Sequence, residues 1–298
     1  MVAYYDQDAV RAVLRMKDLI PAMETALMDF SAGKVIQPVR EMISVEGTSG
    51  FFASMPAVAE NGMGTKLVSF YPNNADLGIH THHAMIALFD RDTGVPLAVM
   101  DGGLITEMRT AAASAVATKA MAAPDAKVLA ILGSGVQARS HVQAIKEIRD
   151  IKEIRVWSRT PASAHKFADD IGAAAMSAED AVRGADIVVT ATSSTTPVLE
   201  GAWLKPGAHV NGVGACIPTW RELDDDVMAN IVVVDSKAGA QKESGDVILS
   251  NASIHAELGD VVAGKASTEV DKTTVFISLG LAVEDVASAR LVYDAIES

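Results

Sequence analysis

Apolar positions recur with helical spacing at the start of the chain. Val10, Val13 and Leu14 share one face, and after a polar break Met23, Ala26, Leu27 and Phe30 form a second stripe. The pattern predicts helices across 6–34, with Asp18 as N-cap of the second, Pro21 in its first turn and Gly33 closing it. The character then changes. VIQPVREMISV, GFFASMPAVA, GTKLVSFYP, HTHHAMIALFD and VPLAVMDG are short β-prone runs broken by Gly, Pro, Asn and Asp, which reads as an antiparallel sheet. Asp92, Thr93 and Gly94 fit a hairpin turn between two of these runs. Residues 106–123 (TEMRTAAASAVATKAMAA) form a long alanine-rich helix ended by Pro124 and Asp125, where a domain boundary is expected.

Residues 127–148, KVLAILGSGVQARSHVQAIKEI, run apolar into Gly133, Ser134 and Gly135 and resume with helical spacing. This reads as strand, turn, helix. Such a turn brings unpaired backbone N–H groups and the positive end of a helix dipole to one point, where a pyrophosphate is stabilised. Gly133 suits the tight turn, Gly135 the close approach of phosphate and Ala138 the third position of a G-x-G-x-x-A fingerprint, with Val136 and Gln137 opening the helix. Glycines also end strands for structural reasons, so the motif depends on its context. Here the context alternates, with strands at 154–157, 186–191, 208–213 and 230–235 and helices at 161–171 and 178–183. The expected fold class is α/β: a Rossmann-type doubly wound parallel sheet over 124–278, preceded by an α+β domain over 1–123. The tail, 279–298, has an amphipathic helical pattern and is expected to pack back on the first domain.

With 298 residues and 49% hydrophobic content there is material for two cores. A net charge of −13 argues against a nucleic-acid partner, because phosphate backbones need a basic surface. The one cysteine, Cys216, excludes an internal disulfide framework and a cysteine-based zinc site, and suits a reducing cytoplasm. No basic region leads into an apolar core at the N-terminus and no apolar run is long enough to span a bilayer. The expectation is a cytoplasmic protein without a membrane partner. His80, His82 and His83 lie close together but no further ligand is spaced to complete a zinc site, so they read as structural and no metal is expected. Glu222, Asp224, Asp225 and Asp226 read as the first turn of a helix, where the dipole favours negative charge.

The choice of dinucleotide is made at the end of the second strand of such a sheet, where an acid accepts hydrogen bonds from the ribose 2′-OH and repels a 2′-phosphate. Here that strand ends in Ser158, Arg159 and Thr160, while Glu153 stands at its start. An arginine that clamps phosphate between two hydroxyl donors favours NADPH, with NADH possible; the alternative is a solvated surface arginine. Thr192 and Ser193, after the strand at 186–191, fall at the carboxyl edge of the sheet, where ribose or nicotinamide contacts are expected.

Several blocks together carry a family likeness: GSGVQARSHVQA, DGGLITEMRTAAASAVATKAMA, GTKLVSFYPNN, NGVGACIPTWRELDDDVMANIVVVDSKAGAQKESGDVILS and TTVFISLGLAVEDVASARLVYD. They resemble the ornithine cyclodeaminase and mu-crystallin family over nearly the whole chain. The resemblance implies a homodimer whose first domain supplies the substrate pocket and the subunit interface. It also implies that Arg40, Lys66 and Arg109 hold the carboxylate of a small imino or amino acid, and that Ser278 and Gly280 approach the nicotinamide. The chemistry is suitable, since a carboxylate is best held by a planar fork and a positioned ammonium. Lys66 interrupts an apolar strand, where an unpaired charge is costly, whereas Arg109 has the alternative of a structural salt bridge. Glu243, Ser244, Gly245 and Asp246 are family-like without an assigned chemistry. Cys216 stands where the cyclodeaminases carry an aspartate, and a neutral thiol cannot hold a cationic amine. It is a candidate for catalysis or for packing. The expected activity is NADPH-dependent reduction of a pyrroline- or piperideine-2-carboxylate, with Lys66 or water managing the nitrogen proton. Reductive amination of a 2-oxo acid, ornithine cyclodeamination and a non-catalytic NADPH-binding role are the alternatives.

Overall fold

The computed structural model of the chain describes residues 2–269 and 271–298. Contacts divide it into two compact units, one running to Arg109 and resuming at Gly280–Ser298, the other Thr110–Leu279. The first begins with β1 (Ala3–Tyr5), α1 (Gln7–Val13) and α2 (Met16–Ser31). Asp6 caps α1 by accepting the N–H of Ala9. The guanidinium of Arg15 folds back on the carbonyls of Arg11, Ala12 and Leu14, satisfying the end of α1. That leaves Arg15 as the N-cap of α2, which starts earlier than expected: Asp18 lies within its first turn and Pro21 inside the helix. Gly33 ends it at φ 72°.

There follow β2 (Ile43–Ser44), β3 (Phe51–Ala59), β4 (Gly62–Phe70), β5 (His82–Phe89) and β6 (Pro96–Asp101). Among the described residues they form a sheet in the order β1-β6-β5-β4-β3-β2, antiparallel throughout except where β1 joins β6 in parallel. The expected hairpin turn is present, the Asp90 carboxylate accepting the Thr93 N–H. Alternation gives the sheet one buried and one exposed face. Ala53, Met55 and Ala57 of β3 point inward and Phe52, Ser54 and Pro56 outward. Lys66 pairs with Met55 on one side and Ile86 on the other, which puts it on the buried face.

Helix α3 (Gly102–Met121) passes through the change-over at Arg109 and Thr110. The boundary expected at Pro124 therefore differs from the division drawn by contacts. From Thr110 on, the small residues of α3 pack with the second unit: Ser114 Oγ meets His141 Nε2 at 2.9 Å, and Asn211 donates to Thr118 Oγ1 at 3.0 Å. Proline ends a helix without deciding what the helix packs against.

The second unit continues with β7 (Val128–Leu132), α4 (Val136–Ile148), β8 (Glu153–Trp157), α5 (Pro161–Ile171), β9 (Ala174–Ala175), α6 (Ala178–Val182), β10 (Ile187–Thr190) and β11 (His209–Gly212). Then come α7 (Asp225–Met228), β12 (Ile231–Val234), α8 (Lys237–Glu243), α9 (Gly245–Ser250), β13 (Ile254–Glu257), α10 (Leu258–Val262) and β14 (Thr274–Ile277). Its sheet runs β13-β12-β14-β11-β10-β7-β8-β9, every pairing parallel. The chain moves outward from β7 through β8 to β9 on one side and through β10 to β11 on the other. The order reverses between β7 and β10, the switch point at which such sheets bind ligands. The core is almost wholly aliphatic, with Leu132, Val188, Val210, Val232 and Val275 at its centre.

Helix α11 (Ala282–Glu297) returns to the first unit and packs on α2 and on β3, β4 and β5. The expected amphipathic stripe is absent from its first turns, which are buried on every side from Ala282 to Ala289. Its ends are tied down: Val283 N–H donates to Gln37 Oε1 at 3.0 Å, and Tyr5 OH to Glu297 at 2.5 Å. The consequence is that Glu284 and Asp285, both fully buried, enter the interior of the first unit.

Candidate functional site

In the second unit the turn after β7 has the geometry its sequence suggested. Gly133 adopts φ +136°, and a Cβ on it would stand 2.5 Å from the carbonyl oxygen of Ala191. Only glycine fits there. Gly135 is the N-cap of α4 and makes no side-chain cap, and space lies open where its Cβ would point. The N–H groups of the first turn thus have room for an anion. Val136 is exposed, and Ala138 is fully buried in the position where helix meets strand. Ser134 Oγ donates to Ser158 Oγ at 3.0 Å, joining the turn to the end of β8. Arg159 and Thr160 follow, both exposed, and Thr160 is the N-cap of α5 without using its hydroxyl as a cap. Glu153 stands at the far end of β8, paired with Arg155 at 2.6 Å.

The carboxyl edge beyond β10 is organised around one buried carboxylate. Ser193 is exposed there, but Thr192 gives both its N–H and its hydroxyl to Glu222 Oε1, each at 2.6 Å. Glu222 is fully buried, and its other oxygen accepts from Thr190 Oγ1 at 3.0 Å and Gly214 N–H at 2.6 Å. It is no part of a helix N-terminus: Asp224 caps α7, with Asp225 and Asp226 in the first turn. The donors at the ends of β10 and β11 needed an acceptor, and Glu222 is the one the fold delivers. Burial pushes its carboxyl up to about 7, against the hydrogen bonds from Thr192. The ESGD block acquires a role here. Ser244 caps α9, and Asp246 Oδ1 accepts the N–H groups of Glu222 and Leu223, both at 2.9 Å. Between β11 and α7 lies Cys216, partly buried and packed against the aliphatic core.

Two polar atoms fit a bound ligand. Ser278, just after β14, has a hydroxyl buried without a hydrogen-bond partner among the described residues, and Gln137 Oε1 is in the same position. With the open phosphate turn and the exposed Arg159, these residues suit a dinucleotide.

The first unit gathers the candidate cations. Lys66 on β4 and Arg109 on α3 are 2% and 3% exposed, and each is held by α11. Lys66 Nζ lies 2.8 Å from Asp285 Oδ2, Arg109 Nε 2.9 Å from Asp285 Oδ1, and Arg109 Nη1 3.0 Å from Glu284 Oε2. Gly280 lies against this cluster. It has φ +84°, and a Cβ would meet Arg109 Nη1 at 2.3 Å. Burial pushes the Lys66 ammonium down to about 8; Asp285 opposes that, while Arg109 and the half-buried Arg40 reinforce it. Burial alone would raise Asp285, but Arg109 and Lys66 outweigh it and hold the carboxyl below its ordinary range. His82, on the same sheet face as Lys66, is pushed down to about 3 by burial and by the two cations, so it is a neutral imidazole. A buried ammonium that titrates near neutrality, fixed between a carboxylate and guanidinium groups, is equipped for proton transfer and anion binding.

Glu284 and Asp285 are the residues that sequence reasoning passed over. In LGLAVEDVASA two acids near the start of a helix are explained by its dipole alone. The usable signal was the apolar surroundings, which leave such charges nowhere to be solvated.

The profile of the ornithine cyclodeaminase/mu-crystallin family matches residues 3–298. The chain is 48% identical to the ketimine reductase mu-crystallin of Mus musculus, the alignment covering 98% of this chain and 97% of that protein. Among solved structures, the Δ(1)-pyrroline-2-carboxylate reductase of Thermococcus litoralis, in complex with NADH and L-proline, matches with TM-score 0.94 and 37% identity over 99% of this chain and 98% of that one. An archaeal alanine dehydrogenase dimer with bound NAD matches with TM-score 0.92 and 32% identity, covering 99% and 96%. Motif, fold and whole-length similarity agree, and the chain belongs to the ornithine cyclodeaminase/mu-crystallin family.

Proposed function

We propose that the protein reduces a small cyclic ketimine carboxylate, of the pyrroline- or piperideine-2-carboxylate type, to the cyclic amino acid. The observation that carries this reading is the Lys66 ammonium, buried beside Arg109 and brought by its surroundings to about 8. Similarity to a ketimine reductase, and to a pyrroline carboxylate reductase solved with proline, supports it. When bound, a reduced nicotinamide supplies the hydride. Arg109 and Arg40 bind the substrate carboxylate and orient the ring, which converts much of the barrier into prior binding. Lys66 delivers a proton to the imine nitrogen, making the ring carbon electrophilic and leaving a neutral amine that solvent reprotonates. Gly133 to Ala138 cradle the pyrophosphate, with the Ser278 hydroxyl and Gln137 as further polar contacts. Cys216 contributes packing in its loop or a contact near the ring.

NADPH is the proposed cofactor, with NADH second, because β8 ends on an arginine flanked by Ser158 and Thr160. A homodimer is supported by the exposed face of the first sheet, where Tyr4, Ile43, Phe52 and Met85 lie open. Among the described residues no helix is long and apolar enough to cross a membrane, and a cytoplasmic site of action agrees with the acidic, cysteine-poor composition.

The test follows NADPH oxidation over a panel of cyclic imine carboxylates, 2-oxo acids with ammonia, and ornithine. Rapid oxidation with the imines alone is expected. Dependence on ammonia and an oxo acid would make it a dehydrogenase of the alanine type, ornithine loss without net oxidation a cyclodeaminase, and tight NADPH binding without turnover a binding protein.

A further inference from the structure

We propose that Asp285 is a positioning residue for proton transfer, one carboxylate that holds both the Lys66 ammonium and the Arg109 guanidinium in register for the substrate. The proposal rests on the reading of Lys66 as proton donor. Its geometry is that of a bridge: Oδ2 at 2.8 Å from Lys66 Nζ and Oδ1 at 2.9 Å from Arg109 Nε, with Asp285 fully buried. Glu284, its neighbour on α11, engages Arg109 Nη1 at 3.0 Å. The two acids therefore divide their work, Asp285 serving both cations and Glu284 buttressing the fork.

The charge balance explains why the donor needs such a partner. The groups facing Lys66 are Asp285 from α11, Arg109 from α3, Arg40 from the segment after α2 and the neutral His82 from β5. Burial and the two guanidinium groups all favour loss of the ammonium proton, and Asp285 is the group that retains it. A lysine without that carboxylate would stand deprotonated at working pH and have no proton to give. The backbone is arranged for the contact as well, since Gly280 lets the chain enter α11 directly beside the guanidinium.

The experiment is the pH profile of kcat with saturating NADPH and Δ1-pyrroline-2-carboxylate for the native enzyme and for Asp285→Asn, Glu284→Gln and Lys66→Arg. Substrate ionisation is common to all four, so differences belong to the protein. Activity of the native enzyme should fall as pH rises through about 8, where Lys66 loses its proton. Asp285→Asn should move that fall to lower pH by about one to three units, the effect of removing an opposite charge at this distance. Glu284→Gln should raise the substrate KM and leave the fall in place, and Lys66→Arg should abolish it. An unmoved profile in Asp285→Asn, with the fall abolished in Lys66→Arg, overturns the role of Asp285. A fall that persists in Lys66→Arg instead removes Lys66 as donor, and the proposal with it. NADPH binding by fluorescence checks that each variant is folded. Should Asp285→Asn fail to fold, Asp285→Glu takes its place: the longer side chain keeps the charge but displaces the oxygens, and an unchanged profile would again overturn the proposal.

Discussion

Single residues here carry electrostatic work that their neighbours in sequence do not reveal. Glu222 and the buried histidines illustrate it. The carboxyl of Glu222 is raised from 4.5 to about 7, so between those limits the folded protein holds a proton that the unfolded chain lacks. Stability gained this way is complete below about 4.5 and is lost as pH rises towards 7. His141 and His209 are lowered from 6.5 to about 4 and about 3 by burial. Here the unfolded chain holds the extra proton, and stability is lost as pH falls below 6.5. The two effects oppose one another on mild acidification. Glu222→Gln removes the compensating one, so the melting temperature of that variant should drop more steeply than the native one between pH 6.5 and 5. Parallel curves in a thermal melt series would contradict this.

Arg159 belongs to the same scale, because the proposed choice of NADPH rests on one side chain at the end of one strand. Arg159→Asp should shift the ratio of kcat/KM for NADPH over NADH towards NADH by about 10- to 100-fold, the worth of a charge-assisted hydrogen bond. An unchanged ratio would show the arginine to be solvated surface. Its position could be read in the sequence because a strand end and a fingerprint turn are local features. The roles of Glu222 and Asp285 could not, since a carboxylate beside apolar residues has the same local appearance whether it caps a helix or accepts bonds from distant strands.

At the level of elements, periodicity and punctuation were informative wherever the element was determined by its own residues. Helix α5 begins with Pro161 and ends before a left-handed Gly172, and β7, the glycine turn and α4 follow one another as expected. Strand β14 is different. It enters the sheet between β11 and β12, out of chain order, so it is defined by partners rather than by pattern. Helix α11 likewise reads as amphipathic until the sheet it lies on is known. The glycine turn makes the sharpest prediction at this scale. Gly133→Ala forces a Cβ to 2.5 Å from a backbone oxygen at φ +136°, which should cost about 1–3 kcal/mol of stability and weaken NADPH binding. Native binding and an unchanged melting temperature would mean that the turn relaxes without penalty.

For the molecule as a whole, the exposed face of the first sheet sets the expectation. Apolar side chains at Phe52 and Met85 lie on strands whose opposite faces are buried, and the exposed Ile43 pairs beside Phe52 on the edge strand; an open patch of this kind is characteristically covered by another protein surface. Met85→Asp should convert the proposed dimer to monomer in light scattering. A native protein that is already monomeric at micromolar concentration, or a variant that stays dimeric, would place any interface elsewhere.

Short-range information was sufficient for the glycine turn, for the alternation that makes a doubly wound sheet, and for the family likeness, because each is written in residues a few positions apart. The cluster in the first unit is of another kind. Arg109 meets Asp285 across 176 residues of chain, and no spacing rule reaches so far. Three cations on separate elements were legible as candidates, but whether they stand bare or paired, and with which acids, was decided only when α11 folded back against the sheet. Burial then supplied what no sequence pattern encodes, an ammonium brought close to neutrality by the loss of its water and the nearness of its neighbours.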